Sequence, residues 1–448
     1  MLTGGLAALA ASAPPARAAV RVADLRGTID VAEFGVRPNA SDDQSRLLQT
    51  AIDAAASRGR ALFLPGGRYT VANLRLPSGI RLVGLPGQTR FDYQGGGGHL
   101  LYCEKGAAVG LEGIRFDGGN RLLGEYTPAL LHFVDVDDLE IAGCAITGSA
   151  KSALALDRCG GRILGNRISG AGDAGIRSIE ATGLSITDNH VHDCGNAGIL
   201  VYRWQAGEDG SLVSGNRIER IAARSGGTGQ NGNGINVFRA HGVVVRGNRV
   251  TDCAFSAIRS NAGSNIVIQG NSCLRSGETA IYSEFGFQGA VIADNLVDGG
   301  AIGISIANFL DGGRLANCSG NLVRNIVNTG PYPAEVQGFG IGIAVEADTV
   351  LTGNVVDSVA RFGLHMGWGE YLRDVSATSN VVRGAPTGVA VTVVEGAGPA
   401  VIASNLISGA DKGAVVGYRW TEAATGDLTR GGAADGFDHL AIRDNLVR

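Results

Sequence analysis

The chain has 448 residues, a formal net charge of −4, 71 Gly against 11 Pro, and only 2 Met. That length exceeds a usual single domain, so two domains are the default unless the chain is a solenoid, whose repeats pack only on their neighbours. The slightly negative charge offers nothing to a phosphate backbone and excludes nucleic acid as a partner.

In chain order, residues 1–18 read as an export segment and residues 19–28 as a linker. Leu2 to Ala13 is mildly apolar, and Ala16-Arg17-Ala18 offers a small-x-small cleavage site before Ala19. The run is too short and too weakly apolar to cross a bilayer, so no membrane span is expected in the mature chain. Thr3-Gly4-Gly5-Leu6 followed by Ala-rich sequence resembles the core of a twin-arginine signal. The two arginines are absent, which points to a start upstream of Met1. The expected location is periplasmic or secreted, by twin-arginine export; a plain Ala-rich tail is the alternative.

Residues 29–100 read as an N-terminal cap with the first coils. Ile29 to Gly35 is strand-like. Ser41 and Gln44 form a capping-box signature, and Leu47, Leu48, Ala51, Ile52 and Ala55 make a helical stripe that ends at Gly59. Strand patterns follow at Leu62–Pro65, Gly66–Val71 and Leu82–Leu85. An amphipathic helix here suits a solenoid, which must cover its open apolar end.

Residues 101–448 carry a repeat of small-Asn-x-apolar. Its asparagines are Asn166, Asn189, Asn216, Asn248, Asn271, Asn295, Asn321, Asn354, Asn380, Asn405 and Asn445, and Cys144 stands in the preceding slot. The intervals from Cys144 onward are 22, 23, 27, 32, 23, 24, 26, 33, 26, 25 and 40 residues. A leucine-rich repeat shares this period, but it needs Leu at fixed spacing and usually a helix. Here the unit is Gly-Ile-x-Val-x followed by x-Val-x-Ile-x-Gly-Asn-x-Ile, which is short alternating β pattern rich in β-branched residues. The reading is all-β: a right-handed, single-stranded parallel β-helix with a short N-terminal capping helix. Equivalent Asn residues are expected to stack about 4.8 Å apart and to bond through their amides, with Asn tolerating the left-handed turn backbone. Seven cysteines suggest disulfides in an exported chain. Cys194 and Cys253, however, fall in one slot two coils apart, roughly 9.6 Å by strand spacing, beyond reach of a disulfide. Buried free thiols are expected.

The order Phe34-Gly35, Asp42-Asp43, Gln49 to Ala55, Leu62 to Tyr69 and Leu82 to Gly84 resembles the opening of the pectate-lyase-like (pectin-lyase fold) superfamily. Asn39-Ala40 departs from the Asp-Gly that many members carry. That superfamily includes pectin-degrading lyases and hydrolases, uronate epimerases and phage tailspikes. Leader and Asn array together resemble the twin-arginine-translocated repetitive proteins of bacteria, a likeness that brings no activity with it.

Aligning the Gly-Ile-x-Val-x strands places positions two and four inside and positions three and five outside. Position three reads Arg177, Leu200, Asn236, Arg259, Tyr282, Ser305, Ala344 and His365. Position five reads Ile179, Tyr202, Phe238, Asn261, Glu284, Ala307, Glu346 and Gly367. Aromatic-Arg pairs recur at the strand edge as Tyr202-Arg203-Trp204, Phe238-Arg239 and Tyr418-Arg419-Trp420, and Trp368 stands in a neighbouring insertion. Aromatic faces stack on sugar rings, and Arg forks onto carboxylates. Insertions at 222–234 and 328–340 on one side, and at 204–211, 367–373 and 420–438 on the other, describe the rims of a groove.

The leading expectation is an exported protein that binds, and in one version modifies, a polysaccharide or oligosaccharide in that groove, an acidic one being favoured. A non-catalytic envelope or spacer protein is the alternative. Binding would use Arg177, Tyr202, Arg203, Trp204, Asn236, Phe238, Arg239, Asn261, Trp368, Tyr418, Arg419 and Trp420. In a β-elimination sketch Arg259 neutralises a uronate carboxylate while Tyr282 or His365 moves protons. In a hydrolase sketch Glu284 and Glu346 form the carboxylate pair, two coils apart. The Asn-Thr-Asp, Asp-Asp and Gly-His-Gly set of polygalacturonases is missing, as are the Asp-Pro-His-Asp tract of alginate epimerases and the Asp cluster of calcium-dependent pectate lyases. No cofactor and no metal site is expected, and the sequence leaves the oligomeric state open.

Overall fold

A computed structural model describes residues 27–448 apart from residue 228 and residues 334–337. The stretches read as an export segment and most of the linker therefore lie outside the described residues. The rest is a right-handed parallel β-helix. Each coil lays down three short strands, so the stack has three faces. The Gly-Ile-x-Val strands build the first face and the strands before each Asn build the second. These two share one 29-stranded sheet, because long strands such as Leu101–Glu112 and Ala129–Ala142 run around the corner between them. The strands after each Asn stack as a separate 15-stranded third face.

Alternation of β-branched residues fills the interior: Ile199, Val201, Val213, Ile218, Ile235 and Val237 are all fully buried. First and third faces approach closely where the strand opens on glycine. A Cβ at Gly198 would lie 2.4 Å from the Gly234 carbonyl oxygen and 2.8 Å from Ile218. That is why the repeat starts with Gly.

The asparagine ladder is continuous from Asn166 to Asn445, each Nδ2 donating to the next Oδ1 at 2.9–3.0 Å. Asn271 is representative. Its Nδ2 donates to the Val245 carbonyl and to Asn295 Oδ1, and its Oδ1 accepts from the Asn248 backbone N–H and Asn248 Nδ2, all at 3.0 Å. The backbone N–H of Cys144 closes the lower end on Asn166 Oδ1 at 2.9 Å. One detail of the sequence reading is corrected. The left-handed residue is not the Asn but the one before it, whether Gly, Asp188 (φ 55°), Asp294 (φ 57°) or Ser379 (φ 57°). The Asn itself needs ordinary backbone to aim its amide along the stack.

All seven cysteines are free and buried, as their placement predicts. The N-terminal cap forms through helix α1 (Ser45–Ser57), which buries Leu48, Ala51, Ile52 and Ala55; each Leu or Ile there contributes roughly 2 kcal/mol. Two local readings change. Ile29 to Gly35 is a two-residue strand followed by a 3-10 turn (Val31–Phe34) whose first turn is capped by the Asp30 side chain. Ser41 does not cap α1. Asp43 Oδ1 accepts from the Ser45 backbone N–H at 2.9 Å, while Gln44 is fully buried and bonded to the Arg37 N–H and Asp42. A buried Gln anchors the entry where a capping box was expected. At the far end, Glu422–Asp427 folds back antiparallel on Gly413–Arg419.

Replacing Asn271 with Ala strands at least two buried polar groups of the neighbouring coils, at about 2 kcal/mol each. Asn271→Ala is expected to lower unfolding free energy by about 4 kcal/mol in urea titrations. Asn445→Ala, at the half-buried end of the ladder, should lose about 1 kcal/mol.

Candidate functional site

First-face register matches the alignment read from the sequence. Arg177 pairs with Leu200, then Asn236, Arg259, Tyr282, Ser305, Ala344 and His365 follow coil by coil. Tyr202, Phe238, Asn261 and Glu284 form the neighbouring column. These side chains do leave the apolar core, but most are buried or only partly exposed. Asn236 and His365 are 4% exposed and Glu284 only 2%. Residues of two insertions, read as rims, reach over the face instead: Gly229 lies against Arg259, and Tyr332 bonds Glu278.

The centre is an ion network. Arg259 grips Glu284 with two bonds, Nε to Oε1 at 2.6 Å and Nη2 to Oε2 at 2.9 Å. Asn261 Nδ2 adds a third bond to Glu284 Oε1 at 2.9 Å. On its other side Arg259 Nη1 faces Glu278 Oε2 at 3.6 Å, and the ring of Tyr282 lies 5.1 Å beneath the guanidinium. Burial works against the charge of Arg259, but Glu284 and Glu278 outweigh it and hold the guanidinium above its ordinary pKa. Burial raises the pKa of both Glu278 and Tyr282. Glu278 is held in turn by the Tyr332 hydroxyl at 2.5 Å.

Beside this network lies a cavity of about 270 Å³ lined by Tyr202, Gly229, Gln230, Asn236, Phe238, Arg259 and Asn261. Tyr202 and Phe238 meet at 5.5 Å between ring centres, and burial pushes the Tyr202 hydroxyl up to about 12. Asn236 Nδ2 donates to that hydroxyl at 3.0 Å. Asn236 Oδ1 and Arg259 Nη1 are buried and make no hydrogen bond. The loop over the cavity must have Gly at position 229 (φ 144°), because a Cβ there would lie 1.7 Å from Arg259 Nη1.

Other expected residues sit apart from this cavity. Arg203 and Trp204 fall on a bulge between Tyr202 and Gly207 within one continuous strand, Ala197–Glu208. The loop anticipated at 204–211 is mostly this bulge. Trp204 is 61% exposed, and its carbonyl accepts from Arg239, which stacks on Phe238 at 4.8 Å. Several coils higher, Trp368 and Trp420 meet edge-on at 5.3 Å, and Tyr418 is buried against Phe362. Arg419 is forked onto Glu395. His365 is buried; burial, then Arg361, lowers its pKa to about 3. It is a neutral imidazole at physiological pH, which does not suit proton delivery.

Glu346 has a different setting. Asn308 turns the chain outward through a left-handed residue (φ 70°) into a 3-10 turn (Phe309–Asp311), and the Phe309 N–H donates to Glu346 Oε2 at 2.6 Å. Burial raises Glu346 to about 7, against the pull of the Phe309 and Asn308 N–H groups. Glu284, its partner in the hydrolase sketch, is immobilised by Arg259 and Asn261. The fork that the elimination sketch reserved for a uronate is likewise taken by Glu284.

Sequence reasoning missed Glu278 and Tyr332, which lie between strands and meet across 54 positions. It also missed His132 and Asp157 on the coils below Arg177, where His132 Nε2 meets Asp157 Oδ2 at 2.8 Å and Asp157 Oδ1 meets Arg177 at 3.5 Å. Those strands read Leu-Leu-His-Phe and Ala-Leu-Ala-Leu-Asp, without the Gly-Ile-x-Val signal; their alternation alone would have found them. Among the described residues, no group of three or more His, Cys, Asp or Glu is placed to hold a metal ion. No described helix is long and apolar enough to cross a membrane.

The family described as right handed beta helix region matches residues 87–218 and 212–419. Among solved structures, the chain is similar to pre-mature gene product 12 of bacteriophage phi29, with a TM-score of 0.56 and 16% identity. That match covers 87% of this chain and 63% of the phage protein, so the chain spans less than two thirds of that protein's length. The Dettilon tailspike protein gives a TM-score of 0.49 at 16% identity, over 94% of this chain and 69% of the other. The A-module of mannuronan C-5 epimerase AlgE6 from Azotobacter vinelandii gives 0.47 at 14%, over 94% and 99%. At 16% identity the likeness to the phi29 protein is one of fold. Comparison with curated protein sequences gave no match.

Removing the cation from the central network leaves two buried carboxylates uncompensated. Arg259→Leu is expected to cost about 3–5 kcal/mol at neutral pH, read from denaturant midpoints. Glu346 gives a pH dependence of opposite origin. Its folded pKa lies above the ordinary value, so the native state holds the proton more tightly. The stability this contributes is complete below about pH 4.5 and is lost as pH rises through about 7. The loss is expected to reach roughly 3 kcal/mol and to vanish in Glu346→Gln, when the two proteins are compared by urea unfolding across that window.

Proposed function

The chain belongs to the right-handed β-helix family, and we propose that it is a glycan-binding member, holding an extended polysaccharide along its first face with one sugar ring seated in the central cavity. One observation carries this reading: an aromatic-walled cavity holds a buried acceptor, Asn236 Oδ1, and a buried donor, Arg259 Nη1, neither of them hydrogen-bonded. Buried polar atoms are rarely left so. A sugar ring carries several hydroxyls, each able to donate or accept, and so offers partners for both atoms. Tyr202 and Phe238 offer ring surface to the apolar face of a pyranose. A volume of about 270 Å³ is on the scale of a single sugar ring.

The proposal is one of binding. Arg259 and Glu284 answer each other, and that leaves the elimination and hydrolysis sketches without their central group. It keeps the reading of residues 1–18 as an export segment, and with it a periplasmic or secreted location and kinship with the twin-arginine-translocated repetitive proteins. The location rests on the leader sequence, and the kinship on the leader together with the Asn array. A rigid spacer with no ligand is the competing reading.

The test is a screen of the chain from Ala19 onward against neutral and acidic polysaccharides, followed by calorimetry on each hit. Asn236→Ala and Phe238→Ala are each expected to weaken binding about tenfold or more, the scale of one lost polar or stacking contact. Trp204→Ala, on the exposed bulge away from the cavity, should stay within about twofold. Silence across the whole panel would favour the spacer.

A further inference from the structure

The cavity's charge arrangement bears on which sugar it takes. Resting on the glycan reading above, we infer that the central cavity selects an uncharged sugar unit and turns uronates away. Among the described residues, Arg259 is the one cation lining the cavity, and it is already matched. Glu284 takes its fork through two hydrogen bonds, and Glu278 stands 3.6 Å from the remaining nitrogen. The three side chains are 11%, 3% and 4% exposed, so solvent screens them little. One guanidinium thus faces two carboxylates. A uronate brought into the cavity becomes a third anion beside a single cation, and burial magnifies that repulsion.

Hydrogen-bonding capacity points the same way. The unsatisfied pair is an acceptor and a donor. A hydroxyl at Asn236 Oδ1 can donate to it, whereas an ionised carboxylate placed there only accepts and leaves it unanswered. Further out, Arg177 is itself paired with Asp157 at 3.5 Å. Arg239 stacks on Phe238, a wall of the cavity, at 4.8 Å, but it is exposed and its attraction is screened. It can hold an acidic chain at the rim, outside the cavity.

The experiment uses polygalacturonate, alginate and glucuronan, each in native form and after reduction of its carboxyls to primary alcohols, which keeps linkage and changes charge. Cello- and manno-oligosaccharides join the panel. Wild type is expected to bind neutral members, and any reduced chain at least tenfold more tightly than its native parent. Asn236→Ala should abolish the difference. Glu278→Gln, which removes one anion and keeps the shape, should narrow the ratio at least threefold. Tighter binding of a native uronate chain that Asn236→Ala abolishes would overturn the selectivity while leaving the site intact. Uronate binding lost in Arg239→Ala and kept in Asn236→Ala belongs to the rim and supports it. If no member binds, or if Asn236→Ala changes nothing, the glycan reading itself fails and takes this inference with it.

Discussion

Hydrogen bonds along the stack are the constraint on which everything else here depends. Strands lie across the axis, so the backbone groups of each coil are answered by the coils above and below. The asparagine ladder adds the same requirement at the corner, with both amide hydrogens and both oxygen lone pairs of an interior Asn used. A coil cannot slide by one residue without turning its apolar set outward and breaking the ladder at once. Extra residues are therefore confined to corners, where they do not disturb the pairing. That rule puts the insertions beside the first face and so creates the cavity.

Much of this was legible in the sequence because it is local and repeated. Alternation of Ile and Val, the glycine that opens each strand and the Asn slot together fix a register correct to the residue from Arg177 to His365. What could not be read depends on where side chains reach. Arg259, Asn261 and Glu284 sit in the right columns of the strand alignment, but nothing in it reveals that Gly229 and Tyr332, from two insertions, reach the network and leave it largely buried. Exposure was inferred from strand position, while burial came from loops whose path no periodicity encodes. Glu278 and Tyr332 belong to such segments. The cap erred similarly: Ser41 has the right spacing from Gln44, but Gln44 was needed inside, and Asp43 took over the capping.

The network around Arg259 places two demands on the same residues. Three ionisable side chains are buried together, and their mutual pairing offsets the desolvation that each suffers alone. Packing apolar residues there would serve stability as well. What the ionic arrangement supplies is a rigid polar wall beside Tyr202 and Phe238, with two atoms left to answer. Changes in this wall alter folding and recognition together, so binding losses in its variants are interpretable only beside their unfolding curves.

The ladder also has a direction. Backbone N–H groups in a sheet point alternately up and down the stack, and their dipoles largely cancel. The amides of Asn166 to Asn445 do not alternate; each presents its oxygen downward and its Nδ2 upward. Their moments add, as peptide dipoles do in an α-helix. The solenoid carries an internal axial dipole, its negative end closed by the Cys144 N–H and its positive end at Asn445. An anion docking on the C-terminal coil meets a different field from one docking at the N-terminal cap, although the repeats between them are nearly the same.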